Sequence, residues 1–171
     1  MPATNGGDFT QTRHSTSYDF ISPLELDLSG KNVLVTGAAS TEGVGFATAT
    51  AFARAGASAI AVADLEGVSD DVAKRLRTSA VQAGRNEPTV LCCTVDITKE
   101  DSVKAMHTSV SGAFNGRLDV VVNNAAHTEP PRSFLDSDAE VYWRTMEVNV
   151  HGLFNMARTF LPMLLSTTNS L

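Results

Sequence analysis

From Lys31 onwards, short apolar runs rich in β-branched residues alternate with longer stretches of helical period. The runs predict strands at Asn32–Thr36, Ala59–Ala63, Val90–Val95 and Leu118–Val122. Each run is continuously apolar, as expected for a strand that is covered on both faces.

Four helices are predicted between and after these strands. They cover Val44–Ala55, a stretch from Ser69 to about Ala83, a stretch from Thr98 to near Phe114, and a long stretch that begins near Ser137. Ser69 and Thr98 are expected to cap the second and third helices. Ser137 and Glu140 have the spacing of a capping box for the fourth. Pro162 is expected to kink or end that helix.

Strict alternation of strand and helix is typical of βαβ units joined by right-handed crossovers. The predicted fold class is therefore α/β, with a doubly wound parallel sheet of about four strands. Residues 1–30 are rich in Ser, Thr, Asn, Gly and Asp and predict a flexible leader. Residues 31–171 then form a single domain.

Composition narrows the functional classes. The 171 residues are 43% apolar and 19% charged, which is typical of a soluble globular domain. A net charge of −6 argues against nucleic acid as a partner. No apolar run approaches the 18 residues or so of a membrane span, so a membrane span is not expected.

The only two cysteines, Cys92 and Cys93, are adjacent on a predicted strand. Their side chains would point to opposite faces and could not easily pair with each other. This suits a reducing compartment, and since residues 1–30 do not resemble a secretory or mitochondrial signal, the expected location is cytoplasmic.

A glycine-bearing turn follows the first predicted strand and leads into a helix. Gly37, Gly43 and Gly45 punctuate it. Glycine lets the main chain approach a pyrophosphate, and the free N–H groups and dipole of a helix start favour its negative charge. An ordinary turn with a close helix contact is the alternative interpretation of the same glycines.

Asp64 ends the second predicted strand, where a dinucleotide-binding fold places an acid against the adenosine ribose hydroxyls. Leu65 follows it in the same predicted binding segment. A carboxylate here repels a 2′-phosphate, Glu66 adds negative charge, and residues 38–42 contain no Lys or Arg. The predicted cofactor is therefore NAD in preference to NADP. A solvated acid at a strand end is the alternative.

Two further motifs follow the third and fourth strands, Asp96-Ile97-Thr98 and Asn123-Asn124-Ala125-Ala126, and Asn149 lies on the long helix. Together with the glycine turn and Asp64, these motifs resemble the short-chain dehydrogenase/reductase family, over about residues 31–165. The resemblance implies a Rossmann-like sheet in the strand order 3-2-1-4, incomplete relative to the family.

The resemblance also implies a role for each matching residue. Asp96 and Ile97 would hold the adenine ring, Asn123 and Ala125 would support strand four and the adenosine side, and Asn149 would belong to the catalytic relay. The residues that would line the pyrophosphate and approach the nicotinamide are Gly37, Ser40, Gly43, Val44 and Gly45.

The chain departs from the family pattern in three places, the smallest of which is Ala126, where glycine is usual. Five residues separate Gly37 from Gly43 where the family has three, so Thr41-Glu42 or a nearby pair resembles an insertion that makes the loop bulge. The family's Ser and Tyr-x-x-x-Lys, which carry proton transfer, are missing from these residues, since Ser22 and Met146 stand four positions after the two tyrosines.

No other group is a good substitute. His127 and His151 could move a proton near neutral pH, but each fits a loop or surface role better. The His, Cys and acid spacings match no zinc pattern, so no metal is expected.

Three interpretations stay open at this stage. The first is the cofactor-binding part of an NAD(P)-dependent oxidoreductase that acts on a secondary alcohol or ketone, lacks the C-terminal catalytic part and is inactive alone. The others are a non-catalytic NAD-binding module and a non-functional truncated product. The fourth strand would form an open edge, and Phe154 and Phe160 are candidates for exposure, so we expect low solubility or self-association through that strand or the long helix.

Overall fold

Four parallel strands form the sheet of this protein. A computed structural model describes residue 16 and residues 18–168. The strands are β1 (Asn32–Thr36), β2 (Ala59–Asp64), β3 (Thr89–Thr94) and β4 (Val120–Val122). Their order in the sheet is β3-β2-β1-β4, which confirms the predicted fold class and strand order.

The helices lie between and after the strands. They are α1 (Val44–Arg54), α2 (Asp70–Gln82), α3 (Glu100–Ala113), α4 (Ala139–Met146) and α5 (Leu153–Thr168). A π-helical segment, Glu147–Gly152, joins α4 to α5. The long fourth helix of the sequence prediction is therefore two α-helices with a wider π-helical stretch between them. Short 3₁₀ turns lie at Asp19–Ile21, Pro23–Glu25 and Phe134–Asp136.

The predicted cap position is confirmed for the second helix, but the predicted cap of the third helix is wrong. Ser69 occupies the cap position of α2, but its side chain makes no capping hydrogen bond. Lys99 precedes α3. The Thr98 hydroxyl instead donates to Oδ1 of Asp96 at 2.7 Å. The hydroxyl that was expected to cap the helix therefore binds the carboxylate that follows β3.

The capping box predicted for the fourth helix is also wrong. Asp138 caps α4, and its Oδ1 accepts from the backbone N–H groups of Glu140 and Val141 at 2.8 and 3.2 Å. The Ser137 hydroxyl donates to Glu129 at 2.7 Å. The Asp138 carboxylate, one residue later, occupies the cap position, because a charged acceptor binds the helix N–H groups more strongly than the Ser137 hydroxyl would.

Pro162 lies inside α5 and does not end it. Proline lacks an N–H, so the helix loses one bond, to the carbonyl of Arg158 four residues earlier. Phe160 and Met163, on either side of the proline, are 1% and 6% exposed, and their burial stabilises the helix through this position.

The core consists of one apolar cluster on each face of the sheet. Leu34, Phe160 and Cys93 belong to the cluster under α3 and α5. Cys92 packs against the other cluster, under α1 and α2, so the two cysteines do face opposite sides. The expected exposure of Phe160 is wrong, since its ring packs against His107 with centroids 5.3 Å apart.

A network of charged groups closes the amino-terminal edge of the sheet. Asp119 accepts from the Asn32 N–H at 2.9 Å, from Arg117 at 2.9 and 3.1 Å, and from the Lys31 ammonium at 3.2 Å. Burial by itself raises the pKa of Asp119, but these bonds outweigh burial and lower it to about 2. The carboxylate therefore joins β1 to the entry of β4.

The later part of the predicted leader contacts the domain. The Leu28 N–H donates to the Ala55 carbonyl at 2.9 Å. The Arg85 guanidinium donates to the carbonyls of Leu24 and Leu26 at 3.0 and 2.8 Å. Residues 1–15 and 17 lie outside the described residues, and the flexible leader and its boundary at residue 30 stay predictions. None of the described helices is long and apolar enough to cross a membrane.

Candidate functional site

A cavity of about 420 Å³ opens at the carboxyl ends of the four strands. Its lining comes from all four strand ends: Gly37 after β1, residues 64–66 at β2, residues 95–97 after β3 and residues 124–127 after β4. Open parallel sheets bind their ligands at this edge. The cavity is therefore the candidate functional site.

Two glycines set the close contact between β1 and α1. Gly37 has a φ of +68°, and a Cβ there would lie 2.8 Å from both the Ala125 Cα and the Asn124 Nδ2. A Cβ on Gly45 would collide with the Gly37 carbonyl oxygen. Only glycine fits either place, so the start of α1 lies directly against the end of β1.

The five residues between Gly37 and Gly43 form a folded turn. The Gly43 N–H donates to the Ser40 carbonyl at 3.0 Å, which closes the turn around Thr41 and Glu42. Gly43 is the cap residue of α1 and provides no side-chain capping bond. The additional pair of residues is thus accommodated before the helix, and the first N–H groups of α1 have no capping side chain.

Asp64 binds the glycine turn. Its Oδ2 accepts from the Ala39 N–H at 3.0 Å, and its Oδ1 accepts from the Leu65 N–H at 2.8 Å. The backbone adds a further link, since the Gly37 N–H donates to the Ala63 carbonyl at 2.8 Å. The carboxylate predicted from the sequence and the glycine turn therefore lie together at one edge of the sheet.

Asp96 is held by the turn that follows β3. Its Oδ1 accepts from the Thr98 N–H and hydroxyl at 3.0 and 2.7 Å, and its own N–H donates to the Ser102 hydroxyl at 3.0 Å. Burial raises its pKa, but the Thr98 bonds, with the nearby charges of Arg144 and Lys99, lower the pKa below the ordinary value. Asp96 is therefore an ionised, fixed group in the cavity wall.

Ile97 is held from the side of the long helical run, which comprises α4, the π-helical segment and α5 together (residues 139–168). It is 8% exposed, and its carbonyl accepts from the Asn155 Nδ2 at 3.0 Å. A Cβ on Gly152 would lie 2.7 Å from the Ile97 Cδ1. Asn155 and Gly152 thus place the β3 loop, and neither was identified from the sequence.

Asn124 and Thr36 join the ends of β1 and β4, which the sequence analysis missed. The Asn124 Nδ2 donates to the carbonyls of Thr36 and Gly37, both at 2.9 Å. The Thr36 hydroxyl oxygen accepts from the N–H groups of Asn124 and Ala125 at 3.1 and 3.0 Å. Asn123, to which strand support was assigned, is exposed and instead lines a smaller adjoining cavity of about 160 Å³.

Asn149 lies in the π-helical segment and binds the loop after β4. Its Oδ1 accepts from the His127 N–H at 2.9 Å, and its Nδ2 donates to the His127 carbonyl at 2.8 Å. π-Helical insertions are frequent at functional sites. Here the segment presents one amide side chain to both backbone groups of a single loop residue.

The structure distributes the predicted site residues over three places. The main cavity is lined by Gly37, Asp64, Leu65, Asp96, Ile97 and Ala125. Ile97 and Ala125 also line the smaller cavity, together with Asn123 and Asn149. Ser40, Gly43, Val44 and Gly45 lie at the turn and the start of α1, outside both linings.

Comparisons with known proteins agree with this geometry. A family model described as Enoyl-(Acyl carrier protein) reductase matches residues 37–171. The short chain dehydrogenase pigC of Monascus ruber is 38% identical over 160 residues, which cover 94% of this chain and 52% of that protein. The chain belongs to the short-chain dehydrogenase/reductase family. It spans about half the length of the curated relatives it matches.

Solved structures are similar over the same region. A short-chain type dehydrogenase/reductase from Mycobacterium marinum superposes with a TM-score of 0.65 at 31% identity, covering 85% of this chain and 55% of that one. The 3-ketoacyl-(acyl-carrier-protein) reductase from Brucella melitensis, solved in complex with NADH, gives 0.65 at 29% identity, covering 84% and 54%. The described residues thus match roughly half of each of these larger short-chain dehydrogenases/reductases.

Proposed function

We propose that the carboxyl edge of this sheet binds a nicotinamide dinucleotide, as the cofactor-binding part of an oxidoreductase that acts on a secondary alcohol or ketone. The observation that carries the proposal is the bond of the Asp64 carboxylate to the Ala39 N–H, which joins acid and glycine turn over one cavity. The NADH complex of the Brucella melitensis relative supports it.

The residues at this edge fit such a ligand. Each Asp64 oxygen accepts one backbone N–H and keeps a lone pair for a ribose hydroxyl. The uncapped start of α1 and the side-chain-free Gly37 suit the pyrophosphate. Asp96 and Ile97 would flank the adenine. When bound, the nicotinamide ring would supply the acceptor or donor of a hydride.

The charges around the cavity favour NAD over NADP. Asp64 and Glu66 both line it, and a carboxylate beside the adenosine ribose repels a 2′-phosphate. Arg144 also lines the cavity, but Glu147 engages its guanidinium at 2.6 Å. The turn from residue 38 to residue 42 has no basic side chain, so a 2′-phosphate would meet mostly negative charge.

We also propose that these 171 residues bind the dinucleotide without turnover. They contain no Tyr-x-x-x-Lys, the motif that carries proton transfer in the family. Asn149 is proposed for the relay of the family, which its fixed position against the loop after β4 would support.

Self-association is proposed through β4, which is an edge strand of the sheet, or through the long helical run, which leaves apolar side chains exposed. On the helical run, Trp143, Val150 and Phe154 are 68%, 61% and 55% exposed. A second copy could cover either surface.

Since both cysteines are free thiols, a cytoplasmic location remains our proposal.

Calorimetric titration of the chain with NADH and with NADPH tests the proposed function. We expect saturable binding of NADH and affinity for NADPH lower by roughly tenfold or more, from like-charge repulsion close to the ribose. A protein that binds neither dinucleotide, or that binds NADPH more tightly, would contradict the proposal. A chain that oxidises secondary alcohols would contradict the absence of turnover.

A further inference from the structure

His127 lies in the part of the cavity that the function proposed above leaves without a role. It is half-buried and lines the cavity after β4. In the strand order β3-β2-β1-β4, Asp64 and Asp96 lie on the β2 and β3 side of Gly37, and His127 lies on the opposite side. A dinucleotide with its adenosine at β2 and β3 and its pyrophosphate at β1 would extend its other half towards His127.

The backbone of His127 is fixed by a single side chain. The Asn149 amide accepts from its N–H at 2.9 Å and donates to its carbonyl at 2.8 Å. These two bonds restrict the main chain of His127, so the side chain is attached at a fixed position in the cavity wall. Groups held in this way are suited to directional binding, because little motion has to be lost when a ligand arrives.

The ring itself is fixed by a second contact. His127 Nδ1 lies 3.0 Å from the Thr145 hydroxyl oxygen. That hydroxyl already donates its proton to the Val141 carbonyl at 3.0 Å, so it acts as the acceptor towards the ring. Nδ1 therefore carries the hydrogen, and in the neutral imidazole Nε2 carries the lone pair.

Nε2 is the remaining polar atom of this ring. Among the described residues it has no hydrogen-bond partner, whereas both backbone groups and Nδ1 have one. A half-buried acceptor in a cavity wall is suited to a donor supplied by a ligand. The bonds of Asn149 and Thr145 thus leave one acceptor atom of defined orientation for the contents of the cavity.

We propose that His127 Nε2 accepts a hydrogen bond from a ribose hydroxyl on the nicotinamide side of the dinucleotide, which makes His127 a specificity-determining residue for that half of the cofactor. This inference rests on the proposed function. It requires a hydrogen on Nδ1, which the Thr145 contact favours, and a lone pair on Nε2.

Two substitutions separate Nε2 from Nδ1. In His127→Asn the amide nitrogen can replace Nδ1 as the donor to Thr145, but nothing replaces Nε2. In His127→Gln the longer side chain places an amide oxygen near the position of Nε2. The probes are NADH and ADP, since ADP lacks the nicotinamide riboside. Calorimetry gives both affinities, and the melting temperature without ligand reports any structural effect.

We expect His127→Asn to bind NADH roughly three- to tenfold more weakly than the parent, the range for one lost hydrogen bond, while ADP affinity and melting temperature stay unchanged. His127→Gln should retain NADH affinity to within about twofold. The proposal is overturned if His127→Asn binds NADH as the parent does, or if both variants lose NADH and ADP affinity together with melting temperature. A parent that binds neither probe would refute the proposed function itself.

Discussion

Replacing Asp64 by alanine should weaken NADH binding and leave NADPH binding unchanged or stronger. The two carboxylate oxygens each accept one backbone N–H, at 3.0 and 2.8 Å, so one lone pair on each stays available for a ribose hydroxyl. A hydrogen bond to a charged group contributes roughly 1.5–3 kcal/mol. In the variant, water replaces the carboxylate as partner of the ribose hydroxyls and recovers part of this free energy. We therefore expect the binding free energy of NADH to weaken by roughly 1–3 kcal/mol.

The opposite effect on NADPH comes from charge. Two like charges 4 Å apart repel by about 1 kcal/mol at the dielectric constant of water, and by more in a partly closed cavity. Alanine at position 64 removes that repulsion from a 2′-phosphate, and this offsets the lost hydrogen bonds. The ratio of the two affinities should therefore shift towards NADPH by roughly tenfold or more.

Calorimetry with both dinucleotides is the assay, and Asp70→Ala is the matched control. Asp70 is an exposed acid at the start of α2 and does not line the cavity, so the variant has the same change in net charge. Equal NADH affinity in Asp64→Ala and the parent would refute the assignment of Asp64. An equal loss for NADH and NADPH, with a lower melting temperature, would show instead that the turn at Ala39 had collapsed.

Three further outcomes follow from the fold and its surface. Asp119→Asn should lower the free energy of unfolding by about 2 kcal/mol at pH 7, measured by urea unfolding. The pKa of Asp119 is lowered from 3.8 to about 2, so the stability difference between parent and variant should persist above about pH 3.8 and disappear as the pH falls towards 2. A stability difference that does not depend on pH would contradict this. Gly45→Ala should lower the melting temperature and abolish NADH binding, since its Cβ would meet the Gly37 carbonyl; unchanged binding would contradict the close contact. Trp143→Ser should raise the monomer fraction in sedimentation if the long helical run mediates association, and an unchanged fraction would point to β4.

The regular elements could be predicted because their signals are local. Four apolar runs mark the strands, and the observed strand ends differ from the predicted ones by at most two residues. For example, Leu118–Val122 was predicted for β4, and the strand is Val120–Val122. Alternation of strands and helices, with a fixed handedness of crossover, then leaves few sheet orders. The acid at Asp64 and the glycine at position 37 follow from the same rules, because both stand at strand ends.

The remaining features depend on contacts that the sequence does not display. Asn123 and Asn124 are neighbours, and only the way in which the chain leaves β4 decides that Asn124 binds the end of β1. The burial of Phe160 depends on its contact with His107, 53 positions earlier in α3. The π-helical segment has no hydrophobic period of its own, so it could not be distinguished from α-helix.

The most direct test of the central claim is an amide chemical-shift map of the chain titrated with NADH. Binding at the carboxyl edge predicts saturable shifts at Gly37, Ala39, Leu65 and Ala125, with the amides of the amino-terminal edge near Asp119 unmoved. Shifts confined to surfaces away from these strand ends, or no shifts at millimolar NADH, would contradict the account.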